Sequence, residues 1–382
     1  MLAHRTNPIW AGTAALPTIS YAEPMNKAFP NECLPNCMRV PKACYPVPLM
    51  PDFSIAVDLG GTNLRIAAVS ADGRILEKIA LSTKIGSGPS EVVDAMCDAI
   101  LRLSHQYGSS GALIGAGIGI PGIIDLEAGV VRRSANLPEW AEYPVRSEIE
   151  KRLGTRIFLE NDAKVHALGE QWMGAGHGVS NMAMITLGTG IGGAIVFDGK
   201  IFHGLNGMAG EFGHVTIEPE GVPCGCGNRG CAERYASATA LVRIAREAIA
   251  AGKAPGLAKA ANSKTELSAK LIYEFAMQGD DAARCIFRHF GRALGIMLAD
   301  IINVLNLEMY VIGGGVASAW DAFAPSMFQE VRERSTIYAA TAPPNELQEG
   351  GTRQPKRGET VITRAVLGSD AGLYGAAKLA MG

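Results

Sequence analysis

The chain has 382 residues, 48% hydrophobic and 19% charged, with a formal net charge of −2. That length allows two domains, since single cores rarely grow beyond about 250 residues, and the charge balance gives no handle for nucleic acid or an anionic membrane. No run of about 18 apolar residues marks a membrane span.

Glycine stands out, with 46 residues, or about 12% against an ordinary ~7%. The excess clusters in short loops between apolar runs, where the backbone must come close to something. The first fifty residues hold eight prolines and Cys33, Cys37 and Cys44. They lack a continuous apolar stretch and a cleavage site, so they do not read as a secretory signal. Proline at that density blocks helix and central strand alike, and residues 1–50 are expected to be an irregular extension. Cys97 and Cys285 fall in helical patterns and read as core thiols. A cytoplasmic location is expected, where disulfides are rare and clustered cysteines more often bind metal.

From Ser54 the pattern turns regular. SIAVDLGG is an apolar run ending in glycines, and RIAAVSADGRILEKIAL reads as two strands joined at Asp72-Gly73. The spacing of Val92, Val93, Met96, Ile100 and Leu103 predicts a helix over 89–106. GALIGAGIGIPG is expected to be a buried strand entering a Pro-Gly turn. A helix over 145–153 then precedes the strand RIFLEND, and another helix follows over 163–173. SIAVDLGGTNLRIAAV and MAMITLGTGIGGAIVF share one layout, a Gly/Thr loop between two apolar strands. Two such hairpins point to two related α/β domains facing each other across a cleft. Helices are expected near 238–251 and 280–304, then a strand in MYVIGGGVA and a closing helix from Asp370. TAPPNELQEGGTRQPKRGE reads as a surface insertion.

In DLGGTNLR, Gly60, Gly61 and Thr62 directly follow a strand. Glycines let the backbone approach phosphate oxygens, to which amides and the Thr62 hydroxyl can donate, and Asp58 beside them suits Mg2+, directly or through water. LGTGIGGA, with Gly188, Thr189, Gly190 and Gly192, repeats these features without the acid. Gly313, Gly314 and Gly315 after MYVI suit the border of a base or ribose. Neither hairpin loop fits GxxxxGK[ST] or opens a βαβ unit with GxGxxG, which argues against a P-loop protein and a dinucleotide dehydrogenase.

FLEND ends a strand in Glu160, Asn161 and Asp162. A carboxylate there suits taking the proton of an attacking alcohol and equally suits capping the next helix; the residues alone leave both open. Downstream, His214, Cys224, Cys226 and Cys231 crowd into one short segment. A thiolate-rich set with one histidine suits four-coordinate zinc, and four protein ligands leave no open position, so such a site is structural. The alternative is three reduced cysteines on a glycine-rich loop with little else to hold it. His166 reads as a packing residue, and His177 and His203, beside glycines in turns, take no role.

Taken in order, DLGGTNLR, END, GTGIGG, GEFGH, CGCGNRGCAE and VIGGGVA resemble the ROK family of bacterial sugar kinases and related repressors. The resemblance runs from Ser54 to the C-terminus. It implies an α/β fold of two actin-like (ribonuclease H-like) domains with a central cleft, as in the hexokinase/actin-like ATPase superfamily. The domains would span 51–172, completed by a helix over 370–382, and 173–369, which carries the zinc-binding loop. It implies ATP and Mg2+ on Asp58, Gly60, Gly61, Thr62, Asn63, Arg65, Gly188, Thr189, Gly190, Gly192, Gly314 and Gly315. A sugar would sit on Gly122, Asn136, Asn161, Asp162, Glu211, His214 and Glu233, with Asp162 as general base. Structural Zn2+ on His214, Cys224, Cys226 and Cys231 would orient His214 toward a sugar hydroxyl.

The implied activity is ATP-dependent phosphorylation of a hexose 6-hydroxyl. The match is best to the glucokinases, because Asn136 in NLPEW resembles the asparagine of glucose-using members. Kinases of N-acetylhexosamines, mannose, fructose or allose share the motifs. The repressor branch would need a helix-turn-helix module, for which residues 1–50 are too short, too proline-rich and not basic enough. The expected partners are sugar and ATP, with no nucleic acid and no membrane, in a homodimer.

Overall fold

The structure is a computed structural model that describes residues 51–83, 88–134, 136–262, 266–344 and 353–382. The extension expected over 1–50, with its three cysteines, and residues 345–352 of the expected insertion lie outside the described residues.

Strand β1 (Phe53–Leu59) is buried on both faces, as a central strand must be. It turns at Gly60–Thr62 into β2 (Asn63–Ser70), which pairs antiparallel so that Arg65 stands opposite Asp58. Strand β3 (Ile75–Ser82) follows the Asp72-Gly73 turn, where Gly73 adopts a φ of 85°. Helix α1 (Gly88–Gly108) buries Val92, Val93, Met96, Ile100 and Leu103 on the expected face. Next come β4 (Leu113–Ile120), a small ribbon of β5 (Ile123–Asp125) with β6 (Val130–Arg133), α2 (Val145–Leu153) and β7 (Ile157–Asn161). The first sheet has the order β3-β2-β1-β4-β7.

Helix α3 (Asp162–Met173) leads to β8 (Met182–Leu187), β9 (Ile191–Phe197) and β10 (Lys200–Ile201). Four helices, α4 (Ala238–Ala250), α5 (Pro255–Asn262), α6 (Ala269–Met277) and α7 (Asp281–Leu305), precede β11 (Met309–Gly313). Then come α8 (Trp320–Arg334), α9 (Thr336–Thr341) and β12 (Val361–Arg364), giving a second sheet of order β10-β9-β8-β11-β12. Helix α10 (Ala371–Met381) returns to the first sheet, where Leu373, Ala376 and Ala377 cover Ala56, Ala67 and Val69. Cys97 is buried as expected, whereas Cys285 is only partly buried, on α7 beside His289. Among the described residues no helix is long and apolar enough to cross a membrane.

Strands β1, β4 and β7 run parallel, so their carboxyl ends share one edge, with Asp58, Gly119 and Glu160 in a row across it. Strands β8, β11 and β12 are parallel too. Both glycine-rich loops therefore leave carboxyl edges, the usual place for ligands in α/β sheets. Helix α3 touches both sheets. An added Cβ at Gly119 of β4 would fall 2.4 Å from Val165, and one at Gly192 of β9 would fall 3.1 Å from the Ala163 Cβ.

The far end of α3 is fastened by Glu170, which is fully buried. Its carboxylate accepts hydrogen bonds from the amides of Ala175 (2.8 Å), Leu367 (2.9 Å) and Val366 (3.1 Å). These amides lie on the two segments that join the sheets, one leaving α3 for β8 and the other leaving β12 for α10. Removing a buried acceptor strands its donors. We expect Glu170→Ala to lower unfolding stability by roughly 3 kcal/mol and Glu170→Gln, which keeps one acceptor oxygen, to cost less. Urea denaturation of the two variants checks this ordering.

Candidate active site

Asp58 ends β1 with only 5% exposure. Its Oδ2 lies 3.3 Å from Arg65 Nη1 and its Oδ1 lies 4.0 Å from His166 Nε2. Gly372 of α10 sits against it so closely that a Cβ would fall 2.6 Å from the carboxyl carbon. The following turn is closed by the Gly60 amide on Asn63 O and by Thr83, whose hydroxyl donates to Gly60 O and whose amide donates to Thr62 O. Thr62 and Asn63 are exposed, and Gly60 and Gly61 half-buried. An added Cβ at Gly61 would touch the Asn136 side chain at 3.4 Å.

The tip of the β8–β9 hairpin is closed by Gly188 N donating to Gly190 O, and the start of α4 steadies it through Ala238 N on Gly188 O and Thr239 Oγ1 on Thr189 O. Gly190 has no room for a side chain, because Glu233 Oε2 would lie 2.0 Å from its Cβ. That same oxygen accepts from Ile191 N at 3.0 Å. Gly314, with a φ of 85°, packs on the backbone of Leu187, and Gly315 faces open space.

At the β7 tip the roles within Asn161-Asp162 differ from one expectation. The helix cap is Asn161, whose Oδ1 accepts from Ala163 N and Lys164 N while its Nδ2 donates to Gly122 O at 3.0 Å. Gly122 itself has a φ of 120° and no space for a Cβ against Arg133 O. Asp162 is thereby relieved of capping, apart from a bond from Ala163 N at 2.9 Å. Burial raises its pKa, the nearby His166 and the Ala163 amide lower it, and Asp58 raises it further. His166, expected to be a packing residue, is partly exposed and stands beside both carboxylates.

His214, Cys224, Cys226 and Cys231 offer ligand atoms that all lie within 4.8 Å of one another, a group that could hold a metal ion. Cys226 Sγ is 3.7 Å from Cys231 Sγ, and Cys224 Sγ is 3.8 Å from His214 Nδ1. Burial and the two other thiols push Cys231 up to about 12, while the Asn228 amide pulls Cys226 down. The loop is better fastened than expected: Ile217 N donates to Gly230 O, Gly230 N to Val222 O and Val222 N to Tyr235 Oη. Glu211 is exposed two residues after Ala209. A cavity of about 450 Å³ between α7 and α8, lined by Arg284, Arg288 and Asp321, contains none of these residues.

The family model described as the ROK family matches residues 54–382. The chain belongs to the ROK family. It is 37% identical over 324 residues to a glucokinase of Halalkalibacterium halodurans, covering 84% of this chain and 92% of that one. To a glucokinase of Thermotoga maritima it is 40% identical over 284 residues, covering 74% and 87%. Among solved structures, a ROK family glucokinase from Streptomyces griseus in complex with glucose and AMPPNP aligns with a TM-score of 0.68 at 32% identity, covering 86% and 99%. The paired five-stranded sheets are the actin-like α/β architecture of ROK sugar kinases.

His166 was legible in principle, since it follows Asp162 by four residues and so shares its helix face. Glu160, Lys164 and His203, which meet at the same tip, carry no such local signal. With Asn161 as the cap, Asn161→Ala should cost about 1 kcal/mol, and Asp162→Ala, which removes a buried carboxyl rather than the cap, should cost less. Equal losses in urea unfolding would reverse the assignment.

Proposed function

We propose that this ROK protein transfers the γ-phosphoryl group of ATP to the 6-hydroxyl of a hexose, with glucose as its substrate. The observation that carries this reading is that each glycine loop has a residue of the sugar set against it, Asn136 at Gly61 and Glu233 at Gly190. A phosphate cradle and a sugar cradle in contact are what transfer between them requires. The relatives named glucokinase support the choice of hexose.

In this reading the two sheets with their helices form two lobes, 51–172 with 370–382 and 173–369. Phosphates lie along the amides of Gly60–Asn63 and Gly188–Gly190, and Gly314 and Gly315 border the nucleoside. Asp162 takes the proton of the 6-hydroxyl as its oxygen attacks the γ-phosphorus in line and ADP leaves. A carboxyl with a raised pKa is a stronger base than an ordinary aspartate, which suits that step. Mg2+ would offset phosphate charge. Both Asp58 oxygens already face a cation or imidazole, so Asp58 fits holding the ion through its waters.

The four-residue cluster fits Zn2+. A tetrahedron with bonds of about 2.3 Å has edges of about 3.8 Å, close to the two separations above. Three neighbouring thiols resist ionising together, and a dication removes that conflict. With Nδ1 on the metal side, the His214 Nε2 remains for a sugar hydroxyl.

We expect hexose-dependent ADP release, greatest with glucose, to fall about 1,000-fold in Asp162→Asn while calorimetry still detects sugar binding. Turnover restricted to another hexose would keep the mechanism and replace the substrate. Only the ionised Asp162 accepts a proton, so kcat falls as pH drops through a value above the ordinary aspartate range. His166 lowers that value, so His166→Gln should move the acid limb of the pH profile upward. Cys231→Ser should lose zinc by elemental analysis and raise the hexose KM roughly tenfold.

A further inference from the structure

The segment 202–210 runs from β10 to the turn Phe212–His214, and so delivers Glu211 and His214. It is anchored on its own sheet by Phe202 N on Ile195 O and by Gly210, which lies against Gly193. It is also gripped from β7 and from α3. Glu160 Oε2 lies 2.5 Å from His203 Nε2, and Lys164 Nζ donates to Gly207 O at 2.5 Å. Glu160 and Lys164 are only 2% and 4% exposed, and burying such groups is costly unless each is hydrogen-bonded. Both also hold Asn161: Glu160 Oε1 accepts its amide at 2.8 Å, and the Lys164 amide donates to its Oδ1 at 3.3 Å.

We propose that Glu160, Lys164 and His203 are positioning residues that keep Glu211 and His214, in the segment after β10, in register with Asn161 and Asp162, where β7 meets α3. The proposal rests on the hexose-kinase reading and deepens it: the sugar site is split between the sheets, and this strap sets the fit of its halves. A sugar bound by both halves senses any slip of the loop, while ATP on the glycine loops does not.

The test uses the full chain with glucose and Mg-ATP. His203→Ala and Lys164→Met should each raise the glucose KM and the glucose Kd about tenfold, leaving the ATP KM and the zinc content within about twofold. His203→Gln, which keeps a donor of similar reach, should recover most of the loss. Glucose KM and Kd within twofold of wild type in both variants would overturn the proposal. So would parallel losses for ATP and glucose that His203→Gln does not rescue. Kd is read by calorimetry without ATP, so the two ideas fail separately. A wild type that binds glucose without turnover sinks the kinase reading and leaves the Kd comparison decisive, whereas a wild type that binds no hexose sinks both.

Discussion

The site depends first on how closely α3 and α10 approach. At Gly169 a Cβ would fall 2.0 Å from Ala371 O, and at Gly375 it would fall 1.6 Å from Val165 O. Any side chain at either position would push the helices apart. The contact matters because α3 begins at Asp162, while α10 places Gly372 against Asp58. Two carboxylates, one near the end of a strand and one opening a helix, thus stand in a fixed relation set by backbone packing rather than by flexible side chains. His166, one turn along α3, reaches Asp58 only because of that closeness.

That arrangement also gives the two acids different surroundings. Asp58 has Arg65 across the hairpin and His166 beside it. Asp162 has no arginine or lysine partner in the hydrogen-bond network described above, and burial outweighs the imidazole nearby. Neighbouring carboxylates with divergent environments can take separate parts in one reaction. Handing the helix cap to Asn161 completes the division, because it frees Asp162 from a purely structural task.

Most of this was legible in the sequence wherever a short stretch is self-sufficient. The two glycine hairpins, the α1 face and the His214–Cys231 cluster each announce themselves through local spacing, and each lies where that spacing implies. Legibility failed in two ways. Within FLEND, Asn161 and Asp162 are both good caps, and only the backbone trajectory decides that Asn161 takes the amides. His203 and Lys164 find their partners 43 residues away in the chain, a distance at which residue type and periodicity say nothing. Short elements such as β12 and α9, four and six residues long, lack enough repeats to show a period.

The return of α10 to the first sheet has a consequence for how the chain is made. Ala56, Ala67 and Val69 present an apolar strand face whose cover, Leu373, Ala376 and Ala377, is translated some 300 residues later. At ordinary elongation rates that interval is on the order of half a minute. The first sheet is therefore covered only after the strands of the second have been synthesised, and its central strands wait uncapped for that interval. Contacts of such long sequence separation also slow folding.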